Sequence, residues 1–590
     1  MMRKLLVANR GEIALRVMRS AKEMGIATVA VYSEADRDAA HVAYADEAYF
    51  IGPAAPAQSY LNVARLLEVA ARASADAVHP GYGFLAENAG FARAVVDAGL
   101  TWVGPHADAI DAMGDKLRAR QAMLAAGMPI VPGGVVAITS VEEAERAAAE
   151  FGLPIAVKAS GGGGGKGLKV AHNIGELASA LATAKREAEA YFGNGTLYLE
   201  RYLDNAKHVE LQILADKHGT VLHVGERDCS LQRRHQKLLE ETPALIGDGL
   251  RRRLREAGIR AASSIAYDSV GTIEMLVAGD EFFFLEMNTR IQVEHTISEM
   301  TSGIDLIREQ LRVAAGEPLG YGQDAIDLRG HAIEVRVNAE DPAADFRPAP
   351  GTLSAYREPA GFGVRVDSAA SPGFVVKGDY DSMIAKLIVA APTRAQAFAR
   401  LRRAIDDYAI RGVPTTLPFL RALIDTPAVM DGTYGTATLE RFARTYVAPP
   451  APADVELPSA TAPAGAADNT VRVEVNDRLF VVRMLDEGLR GRNGPARRAV
   501  PPRAATPSRN GPAHGAGAGA VLAPMHGAVV EIATAGQTVR EGEVVAVIEA
   551  MKMMNEIHAQ RAGTIARVLV ERGATVEAQT PLLEFAVDDA

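Results

Sequence analysis

The last 70 residues of the chain repeat themselves, and this repetition restricts their fold more than any other feature of the sequence. Gly527-Ala-Val-Val…Gly536-Gln-Thr-Val-Arg-Glu-Gly542 is echoed by Gly563-Thr-Ile-Ala…Gly573-Ala-Thr-Val-Glu-Ala-Gln579. Each copy alternates short β-rich runs with glycine turn signals, so the pair predicts a small β sandwich or flattened barrel. At the junction stands Glu549-Ala-Met-Lys552-Met-Met-Asn-Glu556, between the apolar run Val544–Ile548 and Ile557. A lysine at a hairpin tip is held out in water, open to modification. For any single lysine a solvated turn is the commoner meaning. Here the flanking methionines, the Ala523-Pro-Met-His-Gly527 lead-in and the repeat symmetry all agree.

The remainder is long enough for several further units: 590 residues correspond to roughly four domains. Hydrophobic content of 48% and a net charge of −10 describe a globular chain with no global basic signal for nucleic acid. The N-terminal apolar run is too short for a signal peptide, and no segment is apolar for long enough to span a bilayer. The single cysteine, Cys229, excludes an intrachain disulfide and suits a reducing, cytoplasmic setting. The start reads strand, helix, strand: Lys4–Ala8 is apolar, Ile13, Val17 and Ala21 mark a helix face, Gly25 stops it, and Ala27–Tyr32 is β-rich. The intervening Asn9-Arg-Gly-Glu-Ile lacks the G-x-G-x-x-G fingerprint, which disfavours a nicotinamide site.

Alternating α/β patterns run to about Arg444, where composition shifts. Val447–Asp468 and Gly488–Ala520 are rich in Ala and Pro, with one β-like island, Thr470–Leu485, between them. The second tract carries six arginines and no acid, but without interleaved aromatics it reads as a solvated linker. Its 33 residues would span roughly 30 Å as a coil and about 100 Å as polyproline II, a reach suited to a carrier serving two sites.

Three segments of the large region carry chemistry. Ser160-Gly-Gly-Gly-Gly-Gly-Lys166-Gly-Leu-Lys169 is a phosphate-cradling candidate, since glycines let backbone N–H groups approach an anion. It is no Walker A motif, because Ser160 stands where that pattern needs Gly and Gly167 where it needs Ser/Thr. Lys158, on the apolar run Leu153–Val157, calls for an anionic partner, and Lys116 is a second such lysine. Phe282-Phe-Phe-Leu-Glu286-Met-Asn288-Thr-Arg290-Ile-Gln292-Val-Glu294 alternates polar and apolar residues, which in an extended chain puts five polar side chains on one face. A half-exposed strand is the commoner meaning of alternation. The apolar lead-in and a further carboxylate in Gly271-Thr-Ile-Glu274-Met-Leu276 point instead to a buried oxygen-ligand set for Mg²⁺ or Mn²⁺. Arg290 could hold an oxyanion and Glu294 could act as a base. Arg227-Asp-Cys-Ser-Leu-Gln232-Arg-Arg-His235-Gln-Lys237 crowds cations and hydrogen bonders together, and becomes an anion site if it faces those carboxylates. Cys229 reads as a packed structural thiol.

Together these motifs, with Arg3–Ile13, His79-Pro-Gly-Tyr-Gly-Phe-Leu-Ala-Glu-Asn88 and Tyr380-Asp-Ser-Met-Ile-Ala-Lys-Leu387, resemble the biotin carboxylase component of acyl-CoA carboxylases, an α/β ATP-grasp enzyme. The C-terminal segment resembles the all-β biotinyl carrier domain, and the likeness spans nearly all the chain outside the linker. It implies a biotin carboxylase N-terminal domain over 1–113, an ATP-grasp domain over 114–328, a C-terminal α+β domain over 329–446, a linker over 447–520 and a carrier over 521–590. It implies that Lys116, Lys158, Gly163, Gly164, Gly165, Lys166, Gly167, His208, Gln232 and His235 hold ATP. Glu200, Arg201, Tyr202 and Leu203 would line the adenine pocket, and Leu276 would also bind ATP. Glu274, Glu286 and Asn288 would bind two metal ions, the two carboxylates also counting toward the ATP site. Lys237, Arg290, Gln292 and Val293 would position bicarbonate. Glu294 would be the base, Arg336 would stabilise the biotin enolate, and Lys552 would carry biotin covalently.

The implied partners are biotin protein ligase and a carboxyltransferase (β) subunit, within an oligomeric α–β holoenzyme that contacts neither nucleic acid nor membrane. Two departures stand out: Thr296 where relatives usually place Pro, and Gly412-Val-Pro-Thr-Thr416 for the common Gly-Val-x-Thr-Asn. The island at Thr470–Leu485 is far shorter than a full subunit-docking barrel and resembles the shorter α subunits of actinobacteria-like carboxylases. The ATP-dependent subunit of a two-subunit pyruvate carboxylase and a carrier scaffold with an inactive ligase domain are the alternatives.

Overall fold

The computed structural model describes residues 2–161, 167–234, 236–449, 470–483, 520–525, 527–550 and 553–586, and it falls into two compact units. In the larger one the opening pattern folds as read. β1 (Lys4–Val7), α1 (Gly11–Glu23) and β2 (Ala27–Ser33) begin a parallel sheet that continues with β3 (Glu47–Gly52), β4 (Ala77–His79) and β5 (Thr101–Trp102). Strand order is β3-β2-β1-β4-β5. The strands are nearly all buried, as expected of a parallel sheet covered by helices on its faces. Asn476–Leu479 joins this sheet: Arg478 and Leu479 pair antiparallel with Tyr49 and Ala48, and the Asp477 carboxylate meets Arg65 at 3.0 Å and Arg72 at 3.2 Å.

A small three-stranded sheet follows, with β6 (Ile155–Ala159) flanked antiparallel by β7 (Leu168–Ala171) and β8 (Leu197–Arg201). In sequence, the glycine run stands between β6 and β7. Gly167 ends it at φ +71°, a conformation glycine reaches without strain, and its carbonyl accepts from Ala159 N at 3.1 Å. Gly163, Gly164, Gly165 and Lys166 lie outside the described residues, as does His235.

The central feature is an eight-stranded antiparallel sheet. It contains β9 (Lys207–Ala215), β10 (Val221–Arg233), β11 (Gln236–Thr242), β12 (Val270–Ala278), β13 (Glu281–Asn288) and β14 (His331–Asn338), extended by Met383–Ala391 and Val364–Ser368. The order β13-β12-β9-β10-β11-β14 brings strands far apart in sequence side by side. One face packs on Leu211, Ile213, Leu254, Ala261, Ile273 and Met275, in a core shared with the helix Asp248–Ser264. The other face carries buried charge. Among the described residues no helix is long and apolar enough to cross a membrane.

The smaller unit contains two four-stranded sheets formed by residues 520–586. The repeats supply equivalent parts of one core: Val529 and Val539 from the first, Ile565 and Val576 from the second, are all buried. Gly536 and Gly573 turn the chain at φ +87° and +88°, matching the two turn signals. Val544–Ala550 pairs with Met553–His558 so that Ala550 opposes Met553. The two residues joining them, Met551 and Lys552, lie outside the described residues.

Candidate active site

Alternation along a strand places His208, Glu210 and Gln212 of β9 on one face of the sheet, where an apolar strand would carry three hydrophobic residues. Cross-strand register then assembles the site. Glu274 on β12 lies opposite both Glu210 and Glu286, Leu276 opposite His208, and Lys237 on β11 opposite Gln232 on β10.

Lys237 is the hub. Its ammonium donates to Glu210 Oε2 at 2.5 Å, Glu294 Oε1 at 2.6 Å and Glu274 Oε1 at 3.0 Å. Burial alone would lower its pKa, but the three carboxylates hold it well above the ordinary lysine value. Arg227, fully buried, braces the same cluster through Glu210 Oε1 at 2.5 Å, Gln212 Oε1 at 2.5 Å and Gln292 Oε1 at 3.0 Å. Glu294 follows the opposite logic to a typical buried acid. Burial raises its pKa, while Lys237, Arg336 and Arg227 together pull it far below the carboxylate range, so it is ionised. Arg336 on β14 reaches Glu294 Oε2 at 3.0 Å. Lys386, buried in the Met383–Ala391 strand, donates to the Val293 carbonyl at 2.9 Å and holds the turn that presents Glu294.

The expectation of one extended run from Glu286 to Glu294 needs correction. β13 stops at Asn288, and residues 289–294 turn into the helix His295–Ser302. Convergence survives because the turn is tied back to the sheet. Asn288 and Gln292 both donate to Glu274 Oε1, at 2.9 and 2.7 Å, while Arg290 donates to Asn288 Oδ1 at 2.7 Å and Glu87 Oε2 at 3.0 Å. Chain order alone could not show that a turn brings these groups together.

Glu286 accepts from Lys116 Nζ at 2.5 Å, and Lys116 N is fixed by the Ser160 carbonyl at 2.9 Å, next to the glycine run. His208 Nε2 lies 3.0 Å from Glu274 Oε2, and Gln232 Nε2 is 3.5 Å from His208 Nδ1. Lys158 pairs with Glu200, which Arg120 also holds at 2.9 Å. The Glu200 carboxylate is thus engaged inside the protein, while Arg201 is exposed and Tyr202, Leu203 and Leu276 are half-buried. Two carboxylates, Glu274 and Glu286, and the Asn288 amide oxygen sit on adjacent strands. Hard oxygen donors of this kind, with lysines now neutralising them, fit a divalent cation. Glu210, Glu240, Glu87, Arg120 and Lys386 were not singled out in the sequence. The polar alternation His208-Val-Glu210-Leu-Gln212 within an apolar strand was the signal for Glu210.

Family comparisons match four segments of the chain. Residues 1–110 match the biotin carboxylase N-terminal domain, and 115–321 the ATP-binding domain of the carbamoyl-phosphate synthase L chain. Residues 334–441 match the biotin carboxylase C-terminal domain, and 519–585 the biotin-requiring enzyme family. The chain is 44% identical over 588 residues to the biotin-dependent acyl-coenzyme A carboxylase alpha3 subunit of Mycobacterium leprae, covering 99% of this chain and 98% of that one. It is 48% identical over 445 residues to a pyruvate carboxylase subunit of Methanothermobacter thermautotrophicus, covering 75% of this chain and 91% of that one. Among solved structures, the biotin carboxylase domain of Hydrogenobacter thermophilus 2-oxoglutarate carboxylase, in complex with MgADP, ADP and bicarbonate, superimposes with a TM-score of 0.74. It is 47% identical and covers 76% of this chain and all of that one.

Proposed function

Since this chain belongs to the biotin carboxylase family of biotin-dependent enzymes and carries a biotin-carrier module in the same polypeptide, we infer that it carboxylates biotin held on Lys552 at the expense of ATP and bicarbonate. The observation that carries this reading is the Lys237 hub, which gathers the buried carboxylates Glu210, Glu274 and Glu294, with Arg336 bonded to Glu294 and Arg290 to Asn288. Such a cluster answers the chemical problem of the reaction. Bicarbonate is a poor nucleophile, and it must approach the γ-phosphate, another anion.

In this reading Lys116, Lys158, His208, Gln232, His235, Leu276 and the stretch Gly163 to Gly167 hold the nucleotide, with Glu200, Arg201, Tyr202 and Leu203 around the adenine. Lys237, Arg290, Gln292 and the Val293 backbone seat bicarbonate. Glu274, Glu286 and Asn288 would hold two divalent cations, which when bound screen the repulsion between the reacting anions. Glu294 is ionised and therefore able to accept the bicarbonate proton. An anion settling on Lys237 and Arg290 weakens the cationic hold on Glu294 and raises its basicity. Bicarbonate oxygen then attacks the γ-phosphorus, the bond to the ADP oxygen breaks, and carboxyphosphate and ADP result. Carboxyphosphate releases CO₂ and phosphate, a step that requires water to be kept from the intermediate. Arg336 would face the ureido oxygen of biotin as the ring nitrogen gives its proton to the phosphate just released, negative charge develops on that oxygen, and the nitrogen takes up CO₂.

We further infer that carboxybiotin passes to a separate carboxyltransferase subunit that uses an acyl-CoA. What favours an acyl-CoA over pyruvate is coverage: the acyl-CoA carboxylase relative matches 99% of this chain, carrier included, whereas the pyruvate carboxylase subunit matches 75%. Purified chain should release ADP in a bicarbonate-dependent manner and incorporate labelled carbonate into free biotin. ADP release indifferent to bicarbonate would refute the assignment.

A further inference from the structure

Glu240 lies on β11, three residues beyond the Lys237 hub, and is completely buried. It stands opposite Glu334 on β14, two residues before Arg336. Its Oε1 meets one edge of the Arg336 guanidinium, with Nε at 2.8 Å and Nη2 at 2.7 Å. Nη2 also reaches Glu294 Oε2 at 3.0 Å. The guanidinium is thereby clamped between two carboxylates from different elements. Among the described residues its Nη1 has no hydrogen-bond partner, leaving those two protons free on a side chain that keeps some exposure.

This carboxylate does little else. Among the described residues Arg336 is its only side-chain partner, and its second oxygen, Oε2, is buried without a hydrogen bond. Its surroundings are unfavourable to charge. Burial pushes its pKa up, Arg336 pulls it down, and nearby Glu294 pushes it up again. Glu334, across the strand pair, cannot substitute: burial keeps that carboxyl well above the ordinary range, and it bonds the Thr296 hydroxyl instead. Replacing a whole buried ion pair by well-packed apolar residues is often neutral or stabilising for the fold, so the Glu240–Arg336 pair is weakly explained by stability alone.

We propose that Glu240 is the positioning residue of the carboxylation step, holding the Arg336 guanidinium with its free Nη1 donors toward the biotin ureido oxygen. This rests on the role assigned to Arg336 above. An orienting partner one shell out ordinarily matters by about 10–100-fold, as the outer-shell partners of metal ligands do.

The test uses the full chain with Glu240→Gln, Glu240→Asp and Arg336→Ala. Two rates are measured in each, bicarbonate-dependent ATP cleavage without biotin and carboxylation of free biotin. Glu240→Gln should lose carboxylation at least tenfold more than ATP cleavage, with the loss in kcat and in KM for biotin and not in KM for bicarbonate. Glu240→Asp, which keeps the charge, should recover part of the carboxylation and keeps the test open if the Gln variant does not fold. Equal loss of both rates without recovery in the Asp variant would mark Glu240 as merely structural and overturn the proposal. So would near-parental carboxylation in Glu240→Gln alongside a depressed Arg336→Ala. If Arg336→Ala itself carboxylates biotin normally, the role given to Arg336 fails, a different and separately visible outcome.

Discussion

Single side chains in this site divide the labour by where they stand. Glu294 touches Lys237 on one oxygen and Arg336 on the other, so it sits between the two steps. Glu294→Gln keeps the shape and removes the proposed base; bicarbonate-dependent ATP cleavage should fall by about 10²–10³-fold, the usual cost of one positioned electrostatic group. Arg336→Ala leaves Lys237 and Arg290 in place and should depress biotin carboxylation more than ATP cleavage. Parallel measurement of both rates checks the pair, and identical losses in both variants would contradict the division. Lys552 needs no catalytic environment, only exposure and recognition by the ligase. Lys552→Arg preserves charge but presents no acylatable amine, so streptavidin blotting should show no biotin on the variant while carboxylation of free biotin persists. Cys229 is fully buried in the larger unit, and burial lifts its thiol well above the ordinary range, so it is inert packing as its sequence context suggested.

At the level of elements, the central sheet is tied to its neighbours by buried charge as well as by apolar packing. Glu241 on β11 joins four segments: His331 of β14 at 2.6 Å, Arg394 of the helix Arg394–Asp407 at 2.8 Å, Tyr434, and its own strand. Burial would raise its pKa, but His331 and Arg394 outweigh that and hold it at about 2. A depressed carboxylate stabilises the fold above the unfolded glutamate value of about 4.3, and that contribution is lost as pH falls through the folded value. Glu241→Gln should therefore cost about 3–5 kcal/mol at neutral pH, the penalty for stranding buried cations. Thermal unfolding of parent and variant should converge as pH drops from about 4.3 toward 2. A stability gap that is constant across that range would show that the carboxylate charge is not what binds these elements.

For the whole molecule, the larger unit is accounted for by ATP-grasp chemistry and the smaller by the carrier fold, with Asn476–Leu479 of the intervening segment bound to the edge of the parallel sheet. What lies between, residues 447–520, is too short for a domain holding both CoA and biotin, since ordinary domains need about 100–150 residues. The isolated chain should cleave ATP with bicarbonate and biotin yet form no malonyl- or methylmalonyl-CoA until a carboxyltransferase subunit is added. Acyl-CoA carboxylation by the contaminant-free chain would overturn that expectation.

Local pattern was enough for the elements whose meaning is local. The β1–α1–β2 start and the paired turns at Gly536 and Gly573 were legible because hydrophobic period, turn chemistry and repetition act over a few residues. The residues of the active site were legible as types: acids, amides and cations in apolar strands announce a buried polar cluster, since burial without partners is too costly. Which partner each one takes was decided by tertiary structure. Lys237 and Glu274 are brought together by sheet order, Glu294 is delivered by a turn where the alternation implied a strand, and Glu240 acquires its role only because β11 lies beside β14. Strand order and turn geometry depend on packing summed over the whole domain, and no short stretch of sequence contains that sum.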